Sequence, residues 1–217
     1  NDPLIASLLM LDAVKAGDYA TAQKTMEASP GSGLFGLIKP VIAQWIVIGT
    51  GDTKAPVNLQ AAIDKAGFFA PFLNYHSALM YDVLGNTTEA EASYQKASAN
   101  SASATYRVVQ AFSNFYARNG KTEQAQQLFD TYATANPHST LVPDKIAANP
   151  APIVTNAREG LAEVYYTTAS LLFGDNGAQD TYLYLRIALD LKPDLPPAQL
   201  MLASLYEQVG DYASAIQ

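Results

Sequence analysis

Apolar residues recur along this chain three and four apart, in runs that stop at a glycine and resume just after it. The breaks fall at Gly17, Gly51, Gly85 and Gly120, at intervals of 34, 34 and 35 residues. A further glycine, Gly210, sits in Val209-Gly-Asp-Tyr212, which echoes Ala16-Gly-Asp-Tyr19. The pattern predicts a repeated unit: a helix, a tight turn whose glycine takes positive φ, and a second helix. The longest apolar stretch, Leu34 to Ile48, is 15 residues long and is interrupted by Lys39, Pro40 and Gln44. It falls short of the ~20 residues of a spanning helix and predicts a buried helix instead. Within it, Val41 to Ile48 is apolar on nearly all sides around Trp45, so this helix needs cover on two faces, from neighbouring repeats or from a bound protein. After a longer loop, Pro56 to Ala66 predicts its partner helix. Asn156 to Phe173 predicts an elongated helix, and His138 to Thr155, with Pro143, Pro150 and Pro152, predicts an inserted linker.

The clearest unit runs from Tyr106 to Ser139. Counted from Tyr106, Phe112 and Ser113 are its seventh and eighth residues, Tyr116 its eleventh, Gly120 its fifteenth, Ala125 its twentieth, Phe129 its twenty-fourth and Pro137 its thirty-second. Small residues at the eighth and twentieth places let two helices cross closely, aromatics fill the space around the crossing, and the proline ends the second helix. The unit from Pro71 repeats this with Ala78, Tyr81, Gly85, Ala90, Tyr94 and Ala97. The unit from Pro196 shows Leu202, Ala203, Tyr206, Gly210, Tyr212 and Ala215 before the sequence stops. Together these units resemble the tetratricopeptide repeat, a helix-turn-helix unit of about 34 residues. Three others depart from it. The unit from Pro3 has Leu9, Met10, Gly17, Ala22 and Met26 but Ala13 in place of an aromatic. The second places Pro56 where a small residue belongs. The fifth matches at Leu161, Ala162 and Tyr165, and then at Ala188 and Pro193 with about seven residues too many.

The resemblance implies an all-α fold: one α-solenoid over residues 1–217, built from antiparallel helix-turn-helix units and wound into a right-handed superhelix. Its approximate repeats are 3–33, 34–68, 71–104, 106–139, 155–194 and a truncated 196–217, with 138–155 as the inserted linker. It also implies a concave groove, lined by the first helix of each unit, that holds a peptide or an extended protein segment. By position the groove residues are Phe72, Tyr75, Leu79, Asp82 and Val83 in the third unit. In the fourth they are Arg107, Gln110, Asn114, Ala117 and Arg118, and in the fifth Asn156, Glu159, Glu163, Tyr166 and Thr167. Arg107, Asn114 and Arg118 lie near one helix face, a grip for a carboxylate or a peptide backbone; the alternative is a solvated face. For Phe72, Tyr75 and Leu79 the alternative is packing against the preceding repeat. The chaperone-binding members of the family use a Lys/Asn/Arg clamp, and this chain carries Tyr75 or Gln110 where its lysine belongs, which argues against that role.

Charge and composition narrow the partners. Lys and Arg number 13 against 20 Asp and Glu, a net charge of -7, which opposes the basic face a nucleic-acid partner needs. Cysteine is absent, so disulfides, thiolate metal sites and a cysteine nucleophile are excluded. Charged residues make up 15% of the chain, against a usual ~25%, leaving a surface rich in Ser, Thr, Asn and Gln. That composition leans toward an exported bacterial protein of the periplasm or envelope and leaves the cytoplasm open. Asn86-Thr-Thr88 is a glycosylation sequon that matters only in a eukaryotic secretory setting. The sequence begins at Asn1 and stops two turns into an amphipathic segment, Asp211 to Gln217, and so reads as a piece of something longer.

Candidates for chemistry are few. His76 and His138 lack a second ligand at helical spacing, so no metal site is expected, and His76 reads as a partly buried, hydrogen-bonded residue. Gly49-Thr-Gly-Asp-Thr-Lys54 lacks the Gly-Lys-Ser/Thr of a phosphate loop and follows a helix rather than a strand. Gly174-Asp-Asn-Gly177 offers too few oxygens for calcium. Glu159 and Glu163, four apart, read as a solvated acidic stripe rather than an acid-base pair. No Gly-x-Ser-x-Gly elbow is present. The expectation is a non-enzymatic scaffold without cofactor that binds a protein or peptide. Two alternatives stay open. One is the repeat region of a larger enzyme, such as a glycosyltransferase, whose catalytic domain lies outside this sequence. The other is a self-assembling module that pairs with a second copy through an apolar stack end formed by Leu202, Leu205 and Tyr206.

Overall fold

The computed structural model describes residues 3–31, 33–52, 57–99, 104–138, 147, 149–174, 177–208, 210 and 215. Described residues form helices and connecting turns only. In chain order the helices are α1 (Pro3–Lys15), α2 (Tyr19–Ala28), α3 (Gly33–Gly49), α4 (Gln60–Ala66), α5 (Ala70–Val83) and α6 (Thr87–Ala97). They continue with α7 (Tyr106–Arg118), α8 (Thr122–Ala135), α9 (Ala157–Leu172), α10 (Ala178–Leu191) and α11 (Pro196–Gln208), and one 3-10 turn at Gly67–Phe69 precedes α5. None of these helices is long and apolar enough to cross a membrane.

The turns follow from backbone chemistry. Gly17, Gly51, Gly85, Gly120 and Gly210 all have φ between 74° and 84°, a region that costs an L-residue steric strain and costs glycine little. Three of these turns are closed by the same pair of bonds. The amides of Asp18, Asn86 and Lys121 each reach back five residues, to the carbonyls of Ala13, Tyr81 and Tyr116, at 2.8, 2.9 and 2.8 Å. The glycine amides bond the carbonyls of Val14, Asp82 and Ala117 at 3.0 to 3.2 Å. This is the helix-ending arrangement that satisfies otherwise orphaned carbonyls. Asp18 then caps α2 by accepting from the Thr21 amide at 3.0 Å. One boundary differs from the sequence expectation: α4 begins at Gln60, not Pro56. The Leu59 carbonyl accepts the first helical bonds, from Ala62 and Ile63 at 3.0 and 2.9 Å, and Leu59 is itself buried, so a non-helical approach is anchored ahead of the helix.

The chain divides into two compact units, one comprising Asn1–Ala55 with Asn156–Gln217 and the other Pro56–Thr155. In the first, α1 packs on α2, α2 on α3, α9 on α10 and α10 on α11, while α3 packs on α9, more than a hundred residues further along the chain. That junction covers the apolar helix. Trp45, Ile38, Val41, Ile42 and Ile46 are fully buried, and the Trp45 indole lies flat against the backbone of Gly160 in α9. Arg158 ties α9 to the end of α10 by donating Nε to the Leu191 carbonyl at 2.7 Å. In the second unit α4 packs on α5, α5 on α6, α6 on α7 and α7 on α8. Where α7 and α8 cross, Ser113 and Ala125 are fully buried and the Ser113 hydroxyl donates to the Ala125 carbonyl at 3.2 Å. Tyr94 of α6 stacks on Phe112 of α7 with centroids 5.1 Å apart and planes 10° apart, joining the α5/α6 pair to the next.

Burial of phenols adds a pH dependence. Tyr165 is fully buried beside Tyr184, and its hydroxyl has no protein partner among the described residues. Desolvation pushes its pKa well above the ordinary tyrosine value, and Tyr19, Tyr106, Tyr116 and Tyr184 shift up for the same first reason. A raised folded-state pKa means the unfolded chain ionises first. Stability is therefore full below the unfolded value of about 10 and falls as pH rises above it. Thermal melts at pH 9 and pH 11 should show this loss, and Tyr165→Phe should reduce it. At pH 7 that variant should be as stable as the parent or more so by about 1 kcal/mol, because it removes a buried hydroxyl without a partner. A variant that melts lower at pH 7 and keeps the full alkaline loss would show that the hydroxyl is satisfied.

Candidate functional site

The best-defined polar face belongs to α7. Thr105 starts the helix, its extended backbone and hydroxyl capping the Val108 amide at 3.4 Å. Val109, Phe112, Phe115 and Tyr116 then turn inward, and Val109 joins Phe129 and Tyr132 of α8 in a buried cluster. The same periodicity leaves Arg107, Gln110, Asn114 and Arg118, at spacings of three and four, along one half-buried face.

Each of these residues is held within the second unit. Arg107 Nη1 donates to Gln110 Oε1 at 3.0 Å, a bond along the helix that sets both side chains lengthwise on the face. Arg118 Nη2 donates to Asp82 Oδ2 of α5 at 2.5 Å, with both side chains under one-fifth exposed. Next to it Lys121 pairs with Glu91 of α6 at 2.5 Å and sits 5.4 Å above the Tyr116 ring. Asn114 Nδ2 donates to the backbone carbonyl of Ala151, 37 residues away in the proline-rich segment, at 3.2 Å. The face therefore has one end where Arg118 is paired with Asp82, and a middle where Asn114 bonds a backbone carbonyl of the proline-rich segment.

The other predicted positions are placed differently. On α5, Tyr75 and Leu79 are buried in the core, and Phe72 alone of that trio is half-buried. His76 is fully buried rather than partly so, in T-shaped contact with the Phe72 and Tyr75 rings at centroid distances of 4.7 and 5.3 Å, because α5 is covered by both α4 and α6. The solvated acidic stripe on α9 is also corrected. Glu159 pairs with Lys192 at 2.9 Å, but Glu163 is 1% exposed. Since α3 and α10 both pack on α9, a position four residues from a surface carboxylate is carried inside. The exposed stack end is corrected as well: Leu202 and Leu205 are buried, and Tyr206 is half-buried against Tyr182 of α10 at 6.1 Å. Leu200 is the large apolar residue that α11 leaves exposed.

Among the described residues no three His, Asp or Glu side chains converge on a common point that would hold a metal ion. Thr53 and Lys54 of the phosphate-loop-like stretch, and Asp175 and Asn176 of the calcium-like turn, lie outside the described residues, as does most of 139–148. The Ala151 carbonyl was not among the sequence-based candidates. Its only signal was Pro150 and Pro152, which keep their neighbours out of helix and leave carbonyls for an outside donor. No known protein-family model matches the chain, and no curated protein matches it.

Proposed function

We propose that this protein is a non-enzymatic scaffold, a tetratricopeptide-like α-solenoid of helix-turn-helix repeats, that binds an extended segment of a partner protein along the face of α7. The observation that carries the reading is the Asn114 side chain bonding a backbone carbonyl of a proline-flanked stretch without regular secondary structure, the kind of bond by which a helix face takes hold of a peptide without reading its sequence. Arg107 and Gln110, aligned on the same face, supply a donor and an acceptor one turn away, suited to a polar or acidic side chain of the bound segment. Arg118 supports the face from beneath by its bond to Asp82 and is a positioning residue.

The test is selection of random peptides displayed in many copies, which recovers affinities too weak for single-copy capture. Enriched peptides are expected to bind the chain and to lose at least about tenfold in affinity to the pair Arg107→Glu with Asn114→Ala, two losses of about 1 kcal/mol or more. The variant should melt within a few degrees of the parent, since both side chains lie on the half-buried face rather than in the core. Absence of enrichment, or peptides held equally by parent and variant, would overturn the reading.

A further inference from the structure

The stretch 149–155 has no regular structure of its own and belongs to the same compact unit as α7. Pro150 and Pro152 carry no amide hydrogen, and each drives the residue before it toward extended geometry. The stretch thus has fewer donors than acceptors, and what holds it must donate. Asn114 does so at Ala151, the residue preceding Pro152. The stretch is also packed on one side: Val154 is 3% exposed and Pro152 and Ile153 are half-buried, while Asn149, Ala151 and Thr155 are exposed. The stretch is thus tied to α7 at Ala151 and shielded from solvent at Val154.

We propose that residues 149–155 are the resident occupant of the α7 face, an intramolecular ligand that an incoming protein segment must displace. The docking stands on the geometry alone, and the identity of what displaces it rests on the scaffold reading above. The occupant describes its competitor: an extended apolar segment containing proline, with a bare carbonyl at the residue before it. Tethering gives the resident stretch an effective concentration of about millimolar, so a free segment of equal intrinsic affinity is held off until it exceeds that level or brings further contacts, such as an acidic group for Arg107. The proline-rich insertion then sets the threshold for partner binding.

Two measurements test this on the full chain. In isotope-labelled wild type, a nuclear Overhauser effect is expected between the Asn114 side-chain amide protons and the Ala151 methyl, the amide pair being identified by its disappearance in Asn114→Ala. Its absence would overturn the docking. In the second, residues 149–154 are replaced by Gly and Ser at equal length, and the probe is a fluorescein-labelled peptide with the sequence of Asn149 to Thr155. The replaced chain should bind this probe at least tenfold more tightly than wild type, and adding Asn114→Ala should weaken it about fivefold. Equal binding by wild type and the replaced chain, or no binding by a replaced chain that still melts cooperatively, would overturn the proposal. If the replaced chain does not fold, the Overhauser effect decides. A stretch seated in wild type, with no peptides enriched even by the replaced chain whose face is vacated, would sink the scaffold reading and leave the docking intact.

Discussion

Gly160→Ala should lower the melting temperature by roughly 4–8 °C, although alanine favours a helix over glycine by about 1 kcal/mol. The reason is the wall that a new methyl meets. A Cβ built on Gly160 would lie 2.3 to 2.5 Å from ring carbons of Trp45, in the zone where the indole is fully buried. The ring is rigid, and the α3 residues flanking it are buried too, so neither partner yields without moving a helix. Overpacking of this kind costs about 3 kcal/mol, leaving a net loss of about 2 after the propensity gain. A double variant with Trp45→Leu should recover part of the loss, a coupling of about 1 kcal/mol or more in a mutant cycle. A melting point equal to or above the parent's would show that α3 and α9 do not meet as described.

Tyr94→Ala should be more damaging. The ring is 1% exposed, stacks on Phe112 at 5.1 Å and lies 5.3 Å from Phe115, so its removal opens a cavity between α6 and α7. Loss of a large buried aromatic costs about 4 kcal/mol, which corresponds to a fall of roughly 8–16 °C for a chain of this size. The consequence reaches the candidate site. The Arg118–Asp82 and Lys121–Glu91 pairs span the same junction, and half-buried ion pairs of this type hold only while their helices stay in register. Amide exchange in α6 and the second half of α7 should therefore rise well above the parent level, with the proposed peptide binding lost. A variant that melts within about 2 °C of the parent would contradict the stacking.

The local features of this fold were legible in the amino-acid sequence. The periodicity of Leu34 to Ile48 outlines α3, and the span Asn156 to Phe173 brackets α9, with Asn156 capping its start through a 3.0 Å bond to the Glu159 amide. The five spaced glycines mark positive-φ turns because the requirement is set by a single backbone position and no distant partner alters it. Helical character and turn position are properties of ten to twenty neighbouring residues, and here those neighbours agree.

Tertiary packing decided which faces are inside and what meets them. Periodicity shows that a helix has an apolar side but not how many helices cover it. Glu163 and His76 were thus misplaced for one reason: each lies on a helix with neighbours on more than one side; Leu202 and Leu205 lie on α11, which packs on α10, and are buried. The pairing of α3 with α9, and the division of the chain into two units, join residues more than a hundred positions apart, and turn chemistry carries no information at that range. The α7 face was legible as a row of polar residues at helical spacing. That Arg118 is neutralised by Asp82, and that Asn114 bonds Ala151, depend on where separate segments come to rest, which is settled by burial and hydrogen-bond satisfaction across the whole unit rather than by any local run of sequence.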